Sequence, residues 1–325
     1  MKALVFTRPS TLELRDIDDP EAGEDELILT VEATGIGGGE VYQLHHPGQR
    51  TFPSVMGHGI AGFVDDDQHD DRAASDGRRV AVDPVTSCGS CAACTTKRRQ
   101  HCGTRRIIGI HSDGGFAQKC VVPAANCHDL PDDLSWEQAM FIEPFANAVH
   151  AWNVGEANAD MRIGIIGVGA IGLGVVAQAA MLGVSTIDVA EITPSRSDAA
   201  AELGATATLA ALPGDASYDV VFDAVGTPKA RSQAVDATAN GGTIVLLGLE
   251  SAEPGFDATE VVRRELRLQA SYVYLPDEFS AAVDLAATTK PEWIQSFAFD
   301  EVQDIVDDFS IGDYTVIRAA LRPQR

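Results

Sequence analysis

Lysine is scarce, with five residues in 325, and the whole basic complement is 24 side chains against 48 acidic ones. The formal charge of −24 argues against any role that grips nucleic acid or an anionic membrane, because the summed field repels phosphate. Long apolar runs are missing too. The best candidate, Ile163 to Leu182, is broken by Gly164, Gly167, Gly169, Gly172 and Gly174 and contains Gln178. It is no match for the ~20 apolar residues of a membrane helix. Internal repeats and low-complexity tracts are absent, and the acids are dispersed along the chain, which argues against a disordered acidic arm. The opening Met1-Lys2-Ala3-Leu4-Val5-Phe6 lacks the length and cleavage site of a signal peptide, so a cytoplasmic enzyme is expected.

What is present suits a globular protein of two cores: 325 residues, 45% of them hydrophobic. The first half is strand-like, with Ala3–Phe6, Leu27–Val31 and Arg79–Val82, and Asp65 to Asp71 between strands is expected to be a solvated loop. Around Asn147 the pattern changes to strands alternating with alanine-rich helices: Arg162–Ile166, Ile187–Ala190, Tyr218–Phe222 and Thr243–Leu247. That alternation marks a parallel sheet with crossover helices. Beyond Tyr272 it stops, and a last helix and strands through Ala319-Ala320-Leu321 are expected to return to the first domain. The fold class is therefore α/β, a β-rich domain (1–147 and 273–325) interrupted by a doubly wound parallel-sheet domain (148–272).

Gly167-Val168-Gly169-Ala170-Ile171-Gly172 follows the buried-strand pattern Arg162–Ile166 and opens a helix expected over Leu173 to Leu182. In that context the glycines build a dinucleotide turn. Gly167 permits the tight bend, Gly169 lets backbone approach a pyrophosphate, and Gly172 brings helix and strand together. The unpaired N–H groups of the helix start, at Ala170 and Ile171, supply positive potential. Glu191 ends the next strand, where a carboxylate accepts from both ribose hydroxyls and repels a 2′-phosphate, so NAD is favoured over NADP. Arg196, nearby, either softens that preference or packs along the adenine.

Cys88, Cys91, Cys94 and Cys102 have a spacing that wraps four thiolates round one tetrahedral zinc, leaving no open position, hence a structural zinc. Disulfides and an iron–sulfur cluster are the competing readings. Cys120 and Cys127 read as core residues. Lys97, Arg98, Arg99, Arg105 and Arg106 crowd this lobe (88–102) and its flank, without interleaved aromatics, and read as a charge-paired or subunit-contact loop.

Together with Ala33-Thr34-Gly35-Ile36, Met56-Gly57-His58-Gly59, Asp113-Gly114-Gly115-Phe116-Ala117, Glu143-Pro144-Phe145-Ala146 and Phe222-Asp223-Ala224-Val225-Gly226, these segments resemble, in order, the zinc-containing alcohol and polyol dehydrogenases of the medium-chain dehydrogenase/reductase family. The resemblance implies a GroES-like catalytic domain, an inserted Rossmann domain, an active site in the cleft between them, and a homodimer or homotetramer. It implies NAD-dependent hydride transfer to or from a small alcohol, polyol or sugar. Two alternatives stand beside it: a zinc-free reductase of an activated double bond, and a catalytically silent NAD-binding protein.

The same resemblance exposes gaps. The family's catalytic-zinc cysteine falls at Gly37, its proton-passing serine or threonine at Gly39, its aspartate at Glu40, a relay histidine at or near Tyr42, and a glutamate at Gly59. Only His58 and Glu143 match the catalytic metal positions, so a catalytic zinc is in doubt unless Glu40 serves as a third ligand. Without metal, His58 and Tyr42 are the candidate acid–base groups, oriented or charged by Glu40 or Glu143.

An acid-rich, lysine-poor chain resembles proteins of salt-loving organisms, in which high salt screens self-repulsion; the competing reading is simply an acidic enzyme. On the first reading the melting temperature rises steadily from low to molar potassium chloride. A steady fall over that range would rule it out.

Overall fold

The computed structural model describes residues 1–46, 50, 52–64, 77–301 and 317–324; the Asp65–Asp71 run lies outside them. The chain divides into two compact units, Met1–Glu143 with Leu275–Arg325, and Pro144–Tyr274. These boundaries fall a few residues from the 147/148 and 272/273 divisions expected above.

The spine of the first unit is the strand Glu26–Ile36, whose residues alternate between core and surface over its first half. On one side it pairs antiparallel with Ile60–Val64. On the other it pairs first with Lys119–Pro123 and then with the returning strand Arg318–Leu321. Arg78–Val82 and Cys127–Asp129 extend the sheet at one end and Ile294–Phe297 at the other. The spine bends between Val31 and Ala33, where its register against Ile60–Val64 shifts. A side chain cannot be added at Gly62 there: its Cβ would lie 2.0 Å from the Thr30 carbonyl oxygen. Leu29, Val31, Ile60, Val64, Val80 and Val82 form one core cluster of this unit, and Phe6, Met56 and Phe116 anchor another.

The second unit is a six-stranded parallel sheet. In space its strands run Ala207–Leu209, Thr186–Ala190, Arg162–Ile166, Tyr218–Asp223, Thr238–Leu246 and Arg267–Ala270. Numbered along the chain this is 3-2-1-4-5-6, the doubly wound order whose switch point lies between the first and fourth strands. Continuous Val/Ile runs build the central strands because crossover helices cover both faces of such a sheet. Helix Ala170–Met181 follows the first strand, and nine of its twelve residues carry apolar side chains because most of it is buried. The expected helix began three residues later; Gly169 at the N-cap starts it earlier.

Several of the scarce cations are turned onto backbone carbonyls. Arg79 donates to the carbonyls of Pro131, Asp132 and Leu134 and lies over the Trp136 ring. Arg264 holds those of Val235 and Thr238, Arg322 that of Glu32, and buried Arg50 that of Gly109. A planar fork of five donors suits this work better than an ammonium does. Among the described residues, no helix is long and apolar enough to cross a membrane.

Candidate active site and cofactor site

In the second unit the glycine turn joins the first strand to its helix. Gly167 takes φ +82°, a conformation L side chains rarely adopt. A Cβ at Gly172 would lie 2.0 Å from the Gly167 carbonyl, so only glycine lets the helix start pack on the turn. Around Gly169 the space is open: an added Cβ meets nothing within 4 Å. Ala170 and Ile171 stand in the first helical turn, whose N–H groups have no intrahelical acceptor. The Glu191 carboxylate is held beside this turn. Its Oε2 accepts from Val168 N–H at 3.0 Å, and its Oε1 from Ile192 and Thr193 at 2.8 and 2.9 Å. A carboxylate has about four lone-pair positions, so capacity for a ligand hydroxyl remains. Arg196 lies in the first turn of the following helix, Pro194–Leu203. The group fits a dinucleotide: a glycine-lined backbone, unpaired donors and a fixed acid.

Asp223, at the carboxyl end of the fourth strand, was quoted above only for family resemblance. It is fully buried and accepts from Val225 and Gly226 N–H at 3.0 and 2.8 Å, tying down the turn at the switch point. Burial pushes its carboxyl above the usual range, with those two N–H groups and Arg231 pulling the other way.

In the first unit the four lobe cysteines converge, all ligand atoms within 4.8 Å of one another. The sulfur–sulfur separations include 3.6 Å for Cys91–Cys94, 3.7 Å for Cys88–Cys102 and 4.0 Å for Cys88–Cys94. Tetrahedral zinc with sulfur at about 2.3 Å requires about 3.8 Å between sulfurs, whereas a disulfide needs about 2.0 Å. The donor set thus fits one zinc and no disulfide. Ser90 and Cys91 hydrogen bonds bring the Cys88 thiol down to about 5, presenting the thiolate that ligates metal. Arg99 ties the lobe to the sheet through buried Asp83 and the Val85 carbonyl. Burial raises the Asp83 carboxyl even so, with Arg99 opposing the rise. Arg105 and Arg106 bind the carbonyls of Gln100 and His111. Cys120 is buried away from the lobe and its thiol is pushed up to about 12 by desolvation.

The third group surrounds His58, on the loop before Ile60–Val64. Glu40 sits in the first turn of helix Gly38–His45, its Oε2 accepting from Gly37 N–H at 2.9 Å. Its Oε1 lies 3.1 Å from His58 Nδ1, within ion-pair range but not aligned as a hydrogen bond. Such contacts often tighten only when substrate is present. Glu143 Oε2 lies 3.9 Å from His58 Nε2. The two carboxylates therefore address opposite nitrogens of one ring. Glu40 faces the nitrogen that a metal on Nε2 would leave free, on the opposite edge of the ring from Glu143. On the Nε2 side the donors are His58 and Glu143, too few for zinc, and among the described residues only the cysteines form a cluster of three or more metal-binding groups.

Tyr42 is 48% exposed and packs on His46, ring centroids 4.6 Å apart; it makes no contact with His58 among the described residues. One neighbour of the site went unread in the sequence. Arg318 begins the last strand, is 4% exposed, and lies against Gly35, Gly37 and Gly59. The available signal was a lone charge inside Ile317-Arg318-Ala319-Ala320-Leu321, since a buried charge demands an explanation.

Comparison with known proteins identifies the family of both units. Residues 23–132 match the alcohol dehydrogenase GroES-like domain and residues 170–288 the zinc-binding dehydrogenase domain. The chain is 30% identical to the starvation-sensing protein RspB of Escherichia coli K12, over 96% of this chain and 95% of that one. It is also 30% identical to L-galactonate-5-dehydrogenase of the same organism, over 89% and 88%. The crystal structure of an E. coli CFT073 alcohol dehydrogenase (rspB) complexed with NADH superposes with a TM-score of 0.86 at 27% identity, covering 99% of both chains. The chain belongs to the zinc-containing alcohol and polyol dehydrogenase branch of the medium-chain dehydrogenase/reductase family, and it is an oxidoreductase that moves hydride between an alcohol and a nicotinamide.

Proposed function

We infer that the chain is an NAD-dependent dehydrogenase of a small alcohol, polyol or sugar, working with one structural zinc in the cysteine lobe and with His58 as its acid–base group. The observation that carries the cofactor reading is the Glu191 carboxylate, fixed by three backbone N–H groups beside the glycine turn. Bound NAD supplies the two-electron acceptor for the hydride leaving the carbinol carbon. The chain's own part is the proton. His58 Nε2 takes it from the hydroxyl, so that a carbonyl product forms. Glu40 meets the charge that then appears on the ring, through Nδ1 at 3.1 Å, and keeps Nε2 turned toward the substrate. Glu143, at 3.9 Å from Nε2, bounds the same edge and disfavours a second carboxylate there.

NAD should bind more tightly than NADP, because Glu191 meets the extra phosphate with like charge. Glu191→Ala should narrow the gap by about tenfold, equivalent to about 1.4 kcal/mol. Equal affinity of the unmodified enzyme for the two cofactors refutes the assignment.

For proton transfer, NADH formation from a panel of alcohols, polyols and sugars should survive brief chelation. His58→Asn should remove about 10²–10⁴-fold of the rate, the range for a lost general base, and Glu40→Gln a smaller part. If every compound in the panel is inert while an activated alkene is reduced, the alcohol reading fails.

For the lobe, a metal count should find zinc that survives brief chelation and is lost in Cys91→Ser, together with a lowered melting temperature. Sites of this kind contribute on the order of 10 kcal/mol to folding. A metal-free chain of unchanged stability overturns the zinc reading.

A further inference from the structure

Asp223 collects four backbone N–H groups from two different loops. Its Oδ1 accepts from Val225 and Gly226 at 3.0 and 2.8 Å, on the loop after the fourth strand of the parallel sheet. Its main-chain carbonyl accepts from Leu247 and Gly248 at 3.0 and 2.9 Å, on the loop after the fifth. The two loops touch backbone to backbone. A Cβ at Gly226, where φ is +82°, would lie 2.2 Å from the Gly248 carbonyl carbon. Ser251 N–H closes the contact by donating to the Gly226 carbonyl at 3.1 Å.

One oxygen of Asp223 is left over. Oδ2 is buried and accepts no hydrogen bond among the described residues, and the cation beside it is Arg231, whose Nε lies 3.9 Å away. Arg231 stands in helix Pro228–Ala237, and its side chain is largely buried. Its other two nitrogens run on to the fifth-strand loop. Nη2 donates to the Gly248 carbonyl at 3.4 Å and Nη1 to that of Glu253. One planar fork thus meets the acid that gathers both loops and two carbonyls of the second loop.

This clasp borders the glycine turn. Ala224 N–H donates to the Ile166 carbonyl at 2.9 Å, and Val225 fills the space that a Cβ at Gly167 would need, 2.3 Å from Val225 Cγ2. In a doubly wound sheet a dinucleotide lies across the switch point, one nucleotide on each half. The glycine turn and Glu191 belong to the half built on the first three strands, where the adenosine ribose is met. The loops after the fourth and fifth strands are left for the nicotinamide nucleotide. Leu249, 69% exposed on the second of them, offers apolar surface that a planar ring can cover.

We propose that Arg231 is a positioning residue for the nicotinamide half of the cofactor: through Asp223 and the carbonyls of Gly248 and Glu253 it holds the two receiving loops in one arrangement. Arg231 touches no reacting atom. Its effect passes through the backbone of Val225, Gly226 and Gly248, so its loss falls on the nicotinamide nucleotide and spares the adenosine half. Such a role needs a nicotinamide cofactor, but neither a preference for NAD nor a proton acceptor at His58. Binding measurements therefore decide it apart from those two readings.

The test is equilibrium binding of NADH (or NADPH, should that bind the tighter) and of AMP. It compares the unmodified enzyme, Arg231→Met, Asp223→Asn and the double variant, with melting temperature and lobe zinc as checks of folding. In Arg231→Met the dissociation constant for NADH should rise about tenfold, as for one lost charge-assisted contact, while that for AMP stays within about twofold. The fluorescence enhancement of bound NADH should fall with it, because the ring is less firmly held. Asp223→Asn, which sets an amide against the guanidinium, should show the same split. The double variant should be no worse than Asp223→Asn alone, since two ends of one contact are not lost twice. Arg231→Lys, which keeps the charge beside Asp223 and a donor for one carbonyl, should recover most of the NADH affinity. Equal weakening of NADH and AMP marks a merely structural arginine and overturns the proposal. Unchanged NADH affinity in Arg231→Met, or additive losses in the double variant, overturns it too. If Arg231→Met does not fold, Arg231→Gln is read in the same way. If AMP does not bind the unmodified enzyme, it is the Glu191 reading that fails, and ADP-ribose, which lacks only the nicotinamide, becomes the reference ligand.

Discussion

The ladder along Glu26–Ile36 determines most of what the first unit can do. Its hydrogen bonds to Ile60–Val64 fix where the preceding loop presents His58, and its own end runs directly into Gly37 and the helix that carries Glu40. The pairing with Arg318–Leu321 brings a segment nearly 300 residues distant back to the same end of the strand. Three of the four charged or titratable groups of this site, His58 itself, Glu40 and Arg318, are thus set by one strand. Glu143 comes from elsewhere, the first turn of helix Ile142–Val154. Such an arrangement is rigid because the sheet core beneath it is closely packed, and aliphatic residues on neighbouring strands leave no room for register slip.

Legibility in the sequence followed locality. The glycine turn, the acid at the next strand end and the four cysteines each lie within a short span, and spacing alone constrains their geometry. Alternating hydrophobic strands and alanine-rich helices displayed the parallel sheet in the same way. Long-range pairing was not legible in this sense. Nothing local to Arg318 announces that strand Arg318–Leu321 lies beside Gly35 and Ile36, or that Gly37, where the family resemblance puts a ligand cysteine, borders its guanidinium. Tyr42 and Glu40 are set apart for a related reason. Tyr42 is two residues from Glu40 on one helix, and a helix turns about 100° per residue, so the neighbours face different ways. Glu40 is buried while Tyr42 is half exposed.

The three sites illustrate different ways of holding charge inside a protein. At the turn, Glu191 is stabilised by backbone N–H groups and needs no cation. In the lobe, four sulfur ligands converge in a set that fits a metal, and the lobe is fastened to the sheet through Asp83 and Arg99. Around His58 two sheltered carboxylates stand within ion-pair range of one imidazole with few direct hydrogen bonds. Each solution places a different demand on sequence: local backbone geometry for the first, spacing for the second, and tertiary pairing for the third.

The inward-turned arginines have a consequence beyond stability. Each guanidinium spent on a carbonyl of Pro131, Thr238, Glu32 or Gly109 is one that does not face a solute approaching through water. The outer field is correspondingly dominated by carboxylates, and a dinucleotide, itself an anion, must diffuse up a repulsive potential to arrive. Electrostatic steering here works in reverse: encounter is slowest in dilute buffer and quickens as counter-ions flatten the field. The same architecture that holds the loops together therefore makes ionic strength a control on how often the enzyme meets what it binds.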